Sequence, residues 1–379
     1  MSDWILPLYK IYSDDEDVNL VTKIIRRGTY WAIGPEIEEF ENALKNYLGV
    51  DYCVAMNSGT SALHATLLSY NIKANDEVIV PSFSFISTAN SVLFVNAKPI
   101  FADIEKQNYG LDPLDIKKKI SPKTKMIMPM DFGGVSCKIN EIKQIADEKN
   151  LILLEDGAES LGSSVNNKKT GTISNATIFS FCGNKVITTG EGGAVATNSK
   201  DVYDKINLIR SHGRQDNSNY FNNPEVSQYV DVGFNWRMSS ITAALGISQL
   251  QKLDKLIKMR QEHANYITNR ISKHKEIKPP FSNNEYQNIF QMYTITLNDK
   301  TTRDNLHKFL LGKKIFCKVY FSPIHLTKFY QNKLGNNYSL PNTEDISNLV
   351  LTLPLFPNMT QEEKEYLINS IDEFFEKII

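Results

Sequence analysis

Phe179-Ser180-Phe181-Cys182-Gly183-Asn184-Lys185-Val186-Ile187-Thr188-Thr189-Gly190-Glu191-Gly192-Gly193 decides the fold, read together with Leu151-Ile152-Leu153-Leu154-Glu155-Asp156 upstream of it. Each begins as a short apolar run that ends in polar residues, the pattern of a buried strand in a largely parallel sheet. Open α/β proteins place ligands at the carboxyl ends of such strands, so Asp156 and Lys185 are predicted to meet at one sheet edge. An amine there can form a Schiff base with an aldehyde cofactor, and a carboxylate on a neighbouring strand can pair with a pyridinium nitrogen. Gly190, Gly192 and Gly193 suit a tight turn into the apolar Ala194-Val195-Ala196. They do not form Gly-x-Gly-x-x-Gly between a strand and a helix, and Gly-Asn-Lys lacks the upstream glycine spacing of a Walker loop, so both nucleotide-binding readings are set aside.

Outward from this stretch, the β-then-α pattern repeats. Asp76-Glu77-Val78-Ile79-Val80-Pro81, Pro99-Ile100-Phe101-Ala102 and Met126-Ile127-Met128-Pro129 read as strands. Residues 14–27, closed by Gly28, and the stripe Ile37, Phe40, Leu44, Tyr47 after Gly34-Pro35 read as amphipathic helices. Asn57-Ser58-Gly59-Thr60 opens another helix with Ser58 as N-cap, which leaves the amides of Gly59, Thr60 and Ser61 to receive an anion such as phosphate. Phe85 lies just past the strand 76–81, where function concentrates. From Ile241 to about Ile271 the pattern predicts one continuous helix, and Tyr293–Leu297 alternates like a half-exposed strand before a helix around 302–311. The polar run from Arg210 to about Tyr229 is a substrate or interface loop, and His212 within it stands apart from any metal-ligating cluster.

Four strings in order, Asn57-Ser58-Gly59-Thr60-Ser61-Ala62-Leu63-His64, Glu155-Asp156-Gly157-Ala158-Glu159, Ser180-Phe181-x-x-x-Lys185-x-x-x-x-Gly190-Glu191-Gly192-Gly193 and Gly233-Phe234-Asn235-Trp236-Arg237-Met238, give the chain a nearly end-to-end resemblance to the DegT/DnrJ/EryC1/StrS sugar aminotransferases. The resemblance implies the fold-type I aminotransferase architecture: an α/β large domain with a mostly parallel, seven-stranded-type sheet (residues 1–250) and a small α+β C-terminal domain (residues 251–379). It implies pyridoxal 5′-phosphate as cofactor, passing through its pyridoxamine form. Lys185 would be the Schiff-base lysine and proton carrier, Asp156 the partner of the ring nitrogen, Glu159 an orienting group near the ring hydroxyl and Phe85 the aromatic lying on the ring. Ser180 would join Gly59, Thr60 and Ser61 at the phosphate, with Asn235 reaching across a homodimer interface to the partner's phosphate, so that active sites are shared. Tyr320 and His325, in Lys318-Val319-Tyr320-Phe321-Ser322-Pro323-Ile324-His325, would lie near the nucleotide-sugar pocket. Glu155 is read as structural. For His325, a satisfied structural histidine is an equal alternative.

The implied reaction is amination at C4 of a nucleotide-linked 4-keto-6-deoxyhexose, with L-glutamate as donor. The alternatives are amination at C3, a dehydratase that would carry histidine in place of Lys185, and a non-catalytic regulatory role that would not need Asp156, Ser180 and Lys185 together. The lysine motif looks most like GDP-perosamine synthases but has Cys182 where those carry a second aromatic. Asp131-Phe132-Gly133-Gly134 and Phe321–His325 lean toward relatives using UDP- or dTDP-sugars, so the base stays open.

Composition agrees with an enzyme of small molecules. The 379 residues exceed one typical core, and 41% hydrophobic content with a net charge of −1 carries no bias toward nucleic acid or membrane. Cys53, Cys137, Cys182 and Cys317 are scattered without a Cys-x-x-Cys pair, which suits core or site-edge thiols in a reducing, cytoplasmic setting and argues against a metal knuckle.

Overall fold

Seven strands form the central sheet of the computed structural model, which describes residues 4–215, 228–335 and 338–377. They are β1 (Tyr52–Met56), β2 (Glu77–Pro81), β3 (Lys98–Ala102), β4 (Thr124–Ile127), β5 (Ile152–Asp156), β6 (Ala176–Ser180) and β7 (Gly193–Thr197). Their order across the sheet is β1-β7-β6-β5-β4-β2-β3. β3, β2, β4, β5 and β6 pair in parallel, whereas β7 runs antiparallel to both β6 and β1. The mostly parallel sheet expected from the apolar runs is therefore present. β2 and β5 carry the unbroken apolar runs Val78-Ile79-Val80 and Ile152-Leu153-Leu154, as strands buried on both faces do.

The helices begin and end on the residues the sequence marks. α1 (Asp15–Arg27) is capped by Asp14 and stopped by Gly28 at φ +72°, and α2 (Pro35–Leu48) starts on its proline and ends at Gly49, φ +78°. α3 (Gly59–Ser69) is capped by Ser58 and α4 (Ser87–Phe94) follows β2. The single helix expected from Ile241 to Ile271 is two, Ser240–Gln251 and Leu253–Ile271, broken at Lys252. The cause is tertiary: the Lys252 ammonium, 8% exposed, is paired with Asp14 and lies 2.9 Å from Asp17 Oδ1. The apolar stripe runs through the break, so the pattern alone does not register it.

A second core gathers Ala264, Ile267 and Ile271 of the longer of these helices with a three-stranded antiparallel sheet. Its strands are β8 (Ile277–Lys278), β9 (Tyr293–Leu297) and β10 (Val350–Leu353), covered by the helices Lys300–Gly312 and Gln361–Glu376. Leu6, near the start of the chain, joins this C-terminal core through a bridge to Ile315. No helix among the described residues is long and apolar enough to cross a membrane. Most of the loop from Arg210 to Tyr229, residues 216–227, lies outside the described residues.

Candidate active site

At the carboxyl ends of β5 and β6 a cleft of about 490 Å³ is lined by Gly59, Thr60, Phe85, Asp156, Glu159, Ser180, Lys185 and Tyr320 among others. Eight of the residues expected at a cofactor or substrate thus converge on one space.

Lys185 lies five residues past the end of β6 in a turn held by its own amide, which donates to Cys182 O at 3.0 Å. The loop is fastened from the other core by Gln291 Nε2 donating to Asn184 O at 2.8 Å. Lys185 Nζ, its side chain 13% exposed, points to Glu159 Oε1 at 3.4 Å. Glu159 is fixed in turn because its Oε2 accepts from the Gly133 amide at 2.9 Å.

Asp156 is buried at the end of β5. Its Oδ2 accepts from the Thr88 hydroxyl at 2.8 Å and its Oδ1 from the Ala158 amide at 3.2 Å. Burial pushes this carboxyl up to about 6, against the lowering pull of Thr88, Ala158 and Lys185. Such a group favours a cation beside it. Thr88 was not singled out in the sequence, nor was Ser84, whose hydroxyl lies 2.7 Å from that of Thr88. The only signal is spacing: the two hydroxyls stand four apart, one just before and one within α4.

Ser58 Oγ accepts from the Ser61 amide at 3.0 Å. The expectation of three receptive amides is therefore corrected to two. Ser61 is buried and closes a capping box, while Gly59 and Thr60 keep amides without an acceptor and line the cleft. Ser180 sits against this helix start: a Cβ placed on Gly59 would lie 3.1 Å from Ser180 Cβ. On the other side β7 presses so close that a Cβ on Gly193 would lie 2.5 Å from the carbonyl carbon of Ser58 and 2.6 Å from the Gly59 nitrogen. Gly193→Ala is thus expected to destabilise the protein by about 1–3 kcal/mol, as overpacking does, and to displace the Gly59 and Thr60 amides. Thermal melts paired with phosphate-ester titration check this, and unchanged values in both would remove the role given to the close approach.

Phe85 is 60% exposed and lines the cleft, where its ring offers an apolar face. Tyr320, Lys318 and Tyr9 line the same cleft, with Lys318 Nζ 4.7 Å from the Tyr320 ring centroid. Tyr9 and Lys318 are further residues the sequence did not single out for the site.

His325 is the second correction. It is 4% exposed and does not line the cleft. Its Nδ1 is 2.7 Å from Ser82 Oγ and its Nε2 is 3.4 Å from Glu344 Oε1, so it ties the C-terminal segment to the end of β2. Asn235 is exposed and also outside the cleft; its carbonyl accepts from Asn57 Nδ2 at 3.4 Å, just behind the Ser58 cap.

The residues present fit an aromatic, phosphate-bearing cofactor with a basic ring nitrogen. Two free amides and a hydroxyl suit its anion, an exposed phenyl face suits its ring, and a buried carboxyl short of a cation suits its nitrogen.

Comparison with known proteins agrees. Residues 12–372 match the family model described as the DegT/DnrJ/EryC1/StrS aminotransferase family. The chain is 33% identical over 350 residues to the GDP-perosamine synthase of Caulobacter vibrioides, covering 91% of this chain and 92% of that protein. It is 34% identical over 373 residues to the UDP-4-amino-4,6-dideoxy-N-acetyl-beta-L-altrosamine transaminase of Helicobacter pylori, covering 96% of each. Its fold superposes with a TM-score of 0.91 on Helicobacter pylori PseC, an aminotransferase involved in the biosynthesis of pseudoaminic acid, at 30% identity and covering 98% of this chain and 99% of that one. A match spanning nearly the whole chain, on a fold that brings three of the four motifs to one cleft, places this protein in the DegT/DnrJ/EryC1/StrS aminotransferase family.

Proposed function

We propose that this sugar aminotransferase transfers the amino group of L-glutamate to C4 of a nucleotide-linked 4-keto-6-deoxyhexose. The observation that carries the reading is the meeting of Lys185, Glu159 and Asp156 beside the free amides of Gly59 and Thr60 in one cleft. The relatives named as acting on GDP- and UDP-linked sugars support the substrate class.

Pyridoxal 5′-phosphate, when bound, supplies an electron sink for the carbon that loses its proton. The chain's residues do the rest. The Gly59 and Thr60 amides and the Ser180 hydroxyl would hold the phosphate, Phe85 would cover the ring, and Asp156 would keep the ring nitrogen protonated. Lys185, once its amine is free, would take the proton from the donor's Cα and return it to the carbon on the far side of the nitrogen being transferred. Glu159 orients that amine and draws its orientation from the Gly133 amide. Tyr320, with Tyr9 and Lys318, borders the mouth where the sugar nucleotide enters.

The test is incubation with L-glutamate and a panel of GDP-, UDP- and dTDP-linked 4-keto-6-deoxyhexoses, with products identified by mass and NMR. One member should gain an amine at C4 as 2-oxoglutarate forms. Amination at C3, or none with the cofactor bound, would overturn the reading.

The site is further proposed to be completed by a second copy, with Asn235 serving the partner's phosphate. In support, Asn235 is exposed and flanked by Phe234 and Trp236, which stack at 3.9 Å, with His64 and the 48%-exposed Phe94 packed beside them. Mixing inactive Lys185→Ala chains with inactive Asn235→Asp chains is expected to restore activity, because one site of each heterodimer regains both residues. Proven subunit exchange without recovery would assign Asn235 to its own subunit or to packing.

A further inference from the structure

Directly behind the cleft, two carboxyl groups are buried in the interior. Successive residues of a strand face opposite sides, so while Asp156 looks into the cleft, Glu155 looks away from it. Glu155 is 1% exposed and Asp131 fully buried. Glu155 Oε2 accepts three bonds, from the Gly171 amide at 3.2 Å and from the hydroxyls of Ser174 at 3.2 Å and Thr177 at 2.8 Å. Its Oε1 accepts none, and consecutive residues hold one carboxyl each, the Thr170 hydroxyl lying 3.5 Å from Asp131 Oδ2 and the Gly171 amide on Glu155 Oε2, so the two groups lie side by side. Asp131 already accepts from the Cys137 amide at 2.8 Å on Oδ1 and from the Ser160 hydroxyl at 2.8 Å on Oδ2. Two ionised carboxylates side by side in a dry interior repel, and a bare buried oxygen is costly; one proton on Glu155 Oε1, donated to Asp131, removes both penalties.

Asp131 is also where the two loops around Glu159 are tied together. Its amide donates to the Asp156 carbonyl at 3.1 Å, and its carboxylate holds Ser160, next to Glu159, and Cys137, at the far end of the loop whose Gly133 amide grips Glu159. We propose that Glu155 and Asp131 share one buried proton, and that this acid–carboxylate pair positions Glu159 and Asp156 for the chemistry in the cleft.

Burial, reinforced by Asp131, lifts Glu155 to about 8. The titratable groups facing it are Asp131 and the Cys137 thiol, and burial with both carboxyls pushes that thiol well up, so it stays neutral. The contacts that hold the two carboxyls are amides and hydroxyls, those of Gly171, Ser174 and Thr177 on Glu155 and those of Cys137 and Ser160 on Asp131. Above about 8 the shared proton leaves, the two charges repel, and the loops gripping Glu159 loosen. The sign for stability follows: the folded chain keeps a proton that the unfolded chain releases, so stability falls as pH rises from about 4.5 to about 8.

The effect on turnover rests on the roles given above to Glu159 and Asp156, but the shared proton does not, and the experiment separates them. Infrared spectra of the wild-type holoenzyme should show the carbonyl stretch of a protonated buried carboxyl at neutral pH, lost as pH passes about 8. Glu155→Gln, whose amide still donates to Asp131, should lack the band and the part of the fall in melting temperature between about 6 and about 8, above the window of Asp156, and should carry the alkaline limb of kcat/KM to higher pH. Glu155→Ala, with nothing to donate, should lose on the order of 10²-fold in kcat/KM. Absence of the band in the wild type, or superimposable alkaline limbs in wild type and Glu155→Gln, would overturn the proposal. Failure of every sugar in the panel with the band present would overturn the substrate reading and leave the pair standing.

Discussion

Lys185→Ala is expected to abolish transamination while leaving the fold and the cofactor's non-covalent contacts in place. The amine is asked to do two things, to anchor the cofactor and to carry a proton, and proton transfer by a positioned group alone contributes about 10²–10⁴-fold. Loss of at least that size is therefore expected in kcat. The structure argues that the damage stays local. Lys185 makes its side-chain contact with Glu159, which remains held by the Gly133 amide, and the loop is still fastened by Gln291. Phosphate-ester binding at Gly59 and Thr60 should survive. Reductive trapping of the wild-type protein, followed by peptide mapping, reads the anchor directly: a cofactor-derived adduct on any lysine but Lys185 refutes the assignment.

Asp156→Asn should separate activity from stability. The amide keeps the shape and can still bond Thr88, but it cannot hold a proton on a ring nitrogen by charge. Turnover is expected to fall roughly 10²–10³-fold, the scale of losing one preorganised electrostatic partner. Stability of the cofactor-free chain moves the other way. Burial raises Asp156 from 3.8 to about 6, so the folded chain retains a proton that the unfolded chain gives up, and wild-type stability declines across that window. Asparagine has no such titration. The variant's melting temperature should therefore gain on the wild type as pH climbs from about 4 to about 6 and stay ahead above it. Near-wild-type turnover, or a constant gap in melting temperature across that range, would contradict the environment described for this carboxyl.

How much the sequence revealed depended on whether the cause was local. Ser58, Asp14, Gly28 and Pro35 mark helix ends through their own backbone chemistry, and each acts where the sequence places it. Strands β2 to β5 announce themselves through the short apolar runs that burial on both faces selects, whereas β1, Tyr52–Met56, is not among the runs read as strands. Strand β10 was not anticipated, since Val350–Leu353 runs straight into Pro354 and its partner Tyr293–Leu297 lies far along the chain. The break at Lys252 depends on Asp14 and Asp17, and the structural role of His325 on Ser82 and Glu344, contacts no window of sequence contains. Lys185 and Asp156 were legible because their chemistry is rare at a strand end. Thr88 was not, because a hydroxyl in a helix is commonplace until a buried carboxylate is found against it.

The position of β7 has a consequence for the order in which the molecule assembles. Met56 pairs with Gly193 and Ser180 with Gly193 as well, so the helix start that offers Gly59 and Thr60 is braced by a strand synthesised long after it. Closing a connection of that length is entropically costly and slow. A growing chain that has finished β1 and α3 possesses the amides but not the wall behind them, and it lacks Ser180 and Lys185 altogether. The residues that line the cleft are therefore brought together only once that last central strand is home.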